Sequence, residues 1–225
     1  MSLPRPWDEF DAYLFDIDGT LLHCTDAVHY FAFCDVLSSV AGRPLNLDGV
    51  TAHGNTDVGI LRDAFVSAGI AEENWRPKLP QLCERMCLQV EQQQDNLCVN
   101  VLPLVREVLS HLRSKGALLS IATGNLERIG KSKLAAAGIL DLFDMATWSD
   151  AFEYRIDVFY EAVKQIRSST HKCATILVIG DTPADIDAAQ ANGLPAIAVA
   201  TGAYTYTQLA KHNPSLCIHS LADLL

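Results

Sequence analysis

The chain has 225 residues, 49% of them hydrophobic and 20% charged, with a formal net charge of −10. That size can bury a sizeable core, as one domain or one domain with a large insertion. The scattered acidic residues argue against a nucleic-acid partner, which would call for clustered lysines and arginines, and the longest apolar runs, such as 176–179 and 196–200, are too short to cross a bilayer.

Taken in chain order, the first residues include Pro4, Pro6, Asp8 and Glu9, with neither a basic start nor an apolar signal core. A strand is expected over 12–15. The next stretch, roughly 22–97, reads as helices: one over 26–41, one carrying Ile60, Leu61, Ala64, Phe65 and Ala68, and one over 79–94. Parallel sheets rarely leave so long an excursion between strands unless it is a domain of its own. Residues 1–21 and 98–225 are therefore assigned to one core, and 22–97 to an inserted helical domain.

From there the pattern alternates. Leu104, Val105, Val108, Leu109 and Leu112 share a helix face, with Pro103 suited to its first turn. Strands are expected over 118–122, 176–180 and 196–200, and Val158, Phe159, Ala162, Val163 and Ile166 mark another helix. Gly116, Gly138 and Gly193 stand where helices would end. The class is α/β: a Rossmann-like parallel sheet flanked by helices, with the helical insertion after the first strand.

Seven cysteines sit mostly within apolar periodic segments, Cys83 and Cys87 on one stripe with Leu79, Leu82, Met86 and Val90. Without a secretion signal they read as reduced packing residues, and the seven histidines show no zinc-ligand spacing. A reducing, cytoplasmic setting is expected.

Ligands of open α/β sheets bind beyond the carboxyl ends of the strands. The residues there are Asp16-Ile17-Asp18-Gly19-Thr20 after the first strand, Thr123-Gly124-Asn125 after the second, and Gly180-Asp181-Thr182-Pro183-Ala184-Asp185 at the third. Singly, each has a plainer reading: Asp18-Gly19 as a turn, Thr123 as a strand end, and Thr182, Pro183 and Asp185 as a capped helix start. Asp181 is not accounted for that way, nor is the convergence of two acidic clusters and a hydroxyl on one rim. Carboxylate oxygens are what Mg²⁺ prefers, often bridging them to a phosphate.

These motifs resemble those of the haloacid dehalogenase-like hydrolases, in their helically capped, phosphoglycolate-phosphatase-like branch. Phe15-Asp16-Ile17-Asp18-Gly19-Thr20-Leu21-Leu22 is similar to the family's first motif, Ala122-Thr123-Gly124-Asn125 to the second, and the run 180–186 to the fourth. The resemblance implies that Asp16 attacks phosphorus and becomes an aspartyl phosphate while Asp18 serves as general acid and then base. It implies Mg²⁺ held by the Asp16 side chain, the Asp18 carbonyl and Asp181, with Asp185 contributing directly or from behind, and phosphoryl oxygens held by Thr123, Gly124 and Asn125. Of the two neighbouring carboxylates, the one on the metal is expected to stay ionised and Asp18 to keep its proton. Where the family has a third-motif lysine this chain has Arg155, a forked cation in place of a point charge; the alternative is a surface arginine near a helix start, and Lys164 fits less well. The run His53-Gly54-Asn55-Thr56-Asp57 resembles the cap loop that faces substrate, through Asn55 and Thr56, although either could simply cap the helix that follows.

The expected activity is hydrolysis of a small phosphomonoester. Asp18 counts against a carbon-attacking dehalogenase, and the absence of a cap-loop lysine against phosphonate cleavage. A sugar-phosphate mutase and a non-catalytic binding protein on the same scaffold remain the alternatives. The expected partner is a small phosphorylated substrate, with no nucleic acid or membrane, and the chain is expected as a monomer, with a dimer as the alternative.

Overall fold

In the computed structural model, which describes residues 2–225, the chain forms a parallel sheet with helices on both faces and a helical lobe above its carboxyl edge. The strands and helices, in order, are β1 (Ala12–Phe15), β2 (Leu22–Cys24), α1 (Val28–Ala41), α2 (Asp57–Ser67), α3 (Glu72–Trp75), α4 (Leu79–Gln92), β3 (Val99–Val101), α5 (Val105–Ser114), β4 (Leu118–Ala122), α6 (Glu127–Ala136), β5 (Met145–Thr147), α7 (Arg155–Ser169), β6 (Ile176–Gly180), α8 (Pro183–Ala191), β7 (Ala196–Val199), α9 (Tyr206–Ala210) and β8 (Leu216–Ile218). The six-stranded sheet runs β5-β4-β1-β6-β7-β8 with every pairing parallel. β1 lies between β4 and β6, Phe15 opposite Ile121 on one side and Ile179 on the other. The chain thus builds outward on one side of β1 before crossing to the other, and such reversals leave a crevice at the strand ends.

Strands covered on both faces are apolar throughout rather than alternating, and β1, β6 and β7 are buried at every residue. Successive residues of β1 serve opposite layers. Tyr13 and Phe15 pack with Val105, Val108, Leu109 and Leu112 of α5, while Ala12 and Leu14 pack with Val158, Phe159, Ala162 and Ile166 of α7. The helical lobe has its own core: Val28, Phe33, Val36 and Leu37 of α1, Leu61 and Phe65 of α2, and Met86 and Val90 of α4 close around Trp75. That core extends onto α6 through Leu126 and Ile129.

Several expectations need correcting. The stretch 22–97 is not helical throughout, since β2 pairs antiparallel with β3 to form a two-stranded ribbon at the base of the lobe. Leu104 does not share the buried face of α5. It precedes the helix with φ 56° and is 39% exposed, so Pro103 lies outside the first turn. β5 and β8, three residues each, were not expected from the apolar pattern, and the fourth predicted strand stops at Val199. Gly116, Gly138 and Gly193 do stand at helix ends, with φ of 79°, 63° and 67°. All seven cysteines are free thiols, and Cys87 is buried in the lobe's core. Among the described residues no helix is long and apolar enough to cross a membrane.

Candidate active site

Three strand ends deliver the polar residues. Asp16 follows β1, Thr123 follows β4 and Asp181 follows β6, and all three line one cavity between the sheet and the helical lobe. Asp16, Asp181 and Asp185 each offer an oxygen within 4.8 Å of the others, and all three are buried. Asp185 is largely committed. It completes a capping box at the start of α8, accepting from the Thr182 amide at 3.0 Å and the Thr182 hydroxyl at 2.7 Å. Its other oxygen receives Arg155 Nε at 2.7 Å. Asp181 has few donors: Thr20 Oγ1 reaches it at 3.3 Å, and the backbones of Gly19 and Gly202 close around its carboxylate. A Cβ on either glycine would collide with that carboxylate, and Gly19 also holds φ 85°, where side chains are strained.

Arg155 opens α7 and is buried, not on the surface, with its guanidinium fork between two of these carboxylates. Nη2 lies 2.5 Å from Asp16 Oδ1 and 2.6 Å from Asp185 Oδ1. Lys164, by contrast, is exposed and pairs with Glu161.

The electrostatics show why this cluster calls for a cation. Burial pushes the Asp16 carboxyl up, Arg155 opposes the rise, and Asp185 and Asp18 add to it, leaving it at about 6. Asp181 is pushed well above the usual carboxylate range by burial and then by Asp16 and Asp185. Buried like charges at such separation cannot all ionise without compensation beyond one guanidinium. A hard dication with oxygen ligands fits the donor set; Asp16 and Asp181 would hold it directly, and Asp185 from behind.

Asp18 stands apart. Its side chain is 40% exposed, and one oxygen, Oδ2, accepts from both Lys133 Nζ and Asn125 Nδ2 at 2.7 Å. Oδ1 meets only the Cys24 thiol, at 3.7 Å. Burial would raise this carboxyl, but the Lys133 ammonium and the two hydrogen bonds outweigh it and hold Asp18 below the ordinary range. Before any cation is counted, Asp16 is thus the raised group and Asp18 the lowered one. The residue responsible, Lys133, is buried on α6 and also donates to Asn125 Oδ1 at 2.8 Å. The available signal was a lysine four residues after Ile129, on the helix's apolar stripe. Asn125 also donates to Thr123 Oγ1 at 2.9 Å, so its amide ties Thr123 to Asp18.

The lobe reaches the core through the loop before α2. Asp57 donates its amide to the Gly124 carbonyl at 2.7 Å and accepts the Leu126 amide at 2.8 Å. Gly124 approaches the Asn55 carbonyl too closely for any Cβ. Asn55 lines the cavity, but its side-chain amide donates to Asp63 at 2.9 Å. Thr56 caps α2 and donates to the Glu153 carbonyl at 2.9 Å; it is wholly buried and is not among the residues lining the cavity. Glu153 in turn receives Arg62 at 3.3 Å and Arg76, joining the lobe to the loop that carries Arg155.

Known proteins resemble this chain in sequence and fold. A phosphoglycolate phosphatase of Rhodobacter capsulatus is 28% identical over 203 residues, covering 88% of this chain and 87% of that one. A phosphoglycolate phosphatase of Cereibacter sphaeroides is 26% identical over 182 residues, with 80% and 81% covered. Among solved structures, CbbY from Rhodobacter sphaeroides in complex with phosphate superposes with a TM-score of 0.71 at 17% identity over 96% of both chains, which shows the shared fold. The model of the family described as haloacid dehalogenase-like hydrolase matches residues 13–199, from β1 through β7 and so across every strand end that carries an acidic motif; the chain belongs to that family.

Proposed function

We propose that the protein is a Mg²⁺-dependent phosphatase acting on a small phosphomonoester, with Asp16 as nucleophile and Asp18 as general acid and base. The observation that carries this reading is the division of the carboxylates. Asp16, Asp181 and Asp185 gather within 4.8 Å of one another, while Asp18 is held off that cluster with one oxygen bound by Lys133 and Asn125. Phosphatase activity in the curated relatives supports it. The proposed cap comprises 22–97, over a core of 1–21 and 98–225.

In the first step an Asp16 oxygen attacks phosphorus, the bond to the leaving oxygen breaks, and the protonated form of Asp18 gives that oxygen its proton. In the second, water attacks the aspartyl phosphate, Asp18 takes the water's proton, and the Asp16–phosphorus bond breaks to release inorganic phosphate. Thr123 and Gly124 would hold phosphoryl oxygens, and Arg155 orients Asp16 and neutralises charge beside it. Bound Mg²⁺ would supply the remaining charge neutralisation, held by Asp16 and Asp181. Phosphate release from a panel of phosphomonoesters, with Mg²⁺ or chelator and without any bisphosphate activator, tests the reading. Mg²⁺-dependent release that Asp16→Asn lowers at least 10³-fold is expected. A requirement for a bisphosphate would favour a mutase, and Mg²⁺ binding without turnover would favour a binding protein.

A further inference from the structure

The cavity over the carboxylates measures about 380 Å³. At ~30 Å³ per water-sized group, that is room for a phosphoryl group and well over two carbons beside it. Its charges are uneven. Asp16, Asp18, Asp57 and Asp181 line it against two basic side chains, Lys133 and Arg155. Both are committed: Lys133 to Asp18 at 2.7 Å and Arg155 to Asp16 and Asp185 at 2.5 and 2.6 Å. Among the described residues no other lysine or arginine lines the cavity. Of its three histidines, His29 lies with Nε2 3.3 Å from Asp57, and His23 and His53 are exposed.

Apart from Asn55, the rest of the lobe's wall is mainly apolar and aromatic. α1 contributes Phe33, with His29 stacked on it at 4.9 Å, and Tyr30 beside them; Leu47 and Ile60 complete the surface. A second anionic group on the leaving alcohol would be desolvated near Asp57 and Asp18 with no free lysine or arginine to meet it, which is costly. An uncharged ring would cover the still accessible Tyr30 and Leu47, in front of the buried Phe33 and Ile60, and gain from burial.

Resting on the phosphatase reading above, we propose that the leaving-group half of this cavity selects an uncharged alcohol bearing an apolar or aromatic ring and disfavours one carrying a carboxylate or second phosphate. Benzyl phosphate and 2-phosphoglycolate separate the two classes. The Asp16→Asn protein with Mg²⁺ binds benzyl phosphate at least tenfold more tightly by calorimetry, and the native enzyme shows the same order in kcat/KM. Equal or tighter binding of 2-phosphoglycolate overturns the inference, as does binding of neither. Phe33→Ala lowers the benzyl phosphate figure about tenfold and leaves the 2-phosphoglycolate figure within threefold. Because Phe33 also belongs to the lobe's core, Leu47→Lys provides a second test at a half-buried position, where the lysine stem can cover apolar surface. It narrows the preference at least tenfold by placing a cation on the wall; an unchanged preference overturns the charge argument. Failure of the native enzyme to release phosphate from either ester would defeat the phosphatase reading alone, because binding to Asp16→Asn still decides which ester the cavity selects.

Discussion

Two aspartates two residues apart in sequence reach opposite electrostatic conditions because their partners differ. Asp16 shares a buried pocket with Asp181 and Asp185, and Asp18 turns to the ammonium of Lys133. Anchoring Oδ2 with Lys133 and Asn125 leaves Oδ1 as the oxygen able to face a leaving group. Lys133 is thus a positioning residue in the proposed reaction. Lys133→Met should lower kcat on alkyl phosphates about 10²-fold, the lower range of general acid catalysis, with little change in KM. On 4-nitrophenyl phosphate, whose leaving group needs no proton, the loss should stay under tenfold; equal losses would assign Lys133 to structure alone. The pH profile carries a sign as well. Lys133 lowers the Asp18 pKa, and the acid form disappears as pH rises through that pKa. Removing the lysine therefore moves the limb on which the rate falls with rising pH to higher pH.

At the scale of elements, β1, β4 and β6 were legible because a strand buried on both faces is a short apolar run, interrupted in β4 by Ser120 alone, here ending at Asp16, Thr123 and Gly180-Asp181. β5 and β8 have three residues each, and the ribbon of β2 and β3 likewise, too few for a period to register. Arg155 could be placed by motif alignment, but its burial could not, since Asp16 lies 139 residues away. The clamp on Glu153 was invisible for the same reason: Arg62 and Arg76 approach from 91 and 77 residues away. That clamp ties α2 and the turn after α3 to the residues leading into α7. Glu153→Ala should cost about 1 kcal/mol in urea unfolding, the scale of partly exposed ion pairs, since Arg62 and Arg76 can turn to water. It should also raise KM several-fold while kcat changes less, as the lobe is held less firmly over the cavity. An unaltered KM would remove the clamp from any part in substrate binding.

The whole molecule is organised around the reversal at β1, which brings together carboxylates separated by up to 169 residues of chain and leaves them buried. Concentrating like charge there makes the site a stability liability in the absence of a cation, a common exchange of stability for function. The sign follows from the raised carboxyls. In the unfolded chain these aspartates titrate near 3.8, whereas folded Asp16 titrates at about 6 and Asp181 well above the ordinary value. Their neutral forms suit the fold, so the contribution is fully present below the unfolded pKa and is lost as pH rises toward the folded one. Asp8 and Asp11, held low by their hydrogen-bond partners, act in the opposite direction as pH falls, so the cluster's share is isolated by comparing variants. The metal-free Asp181→Asn protein should therefore melt above the metal-free native protein at pH 7.5. The gap should narrow toward pH 4, below the raised pKa values of Asp16 and Asp181. Mg²⁺ should raise the native Tm at pH 7.5 and leave the variant nearly unchanged, because binding stabilises only a fold that still has its ligands. Calorimetric scans of both proteins at the two pH values, with Mg²⁺ and with chelator, measure all of these differences. A metal-free variant no more stable than the native protein at pH 7.5 would mean that Arg155 alone suffices to offset the buried charge.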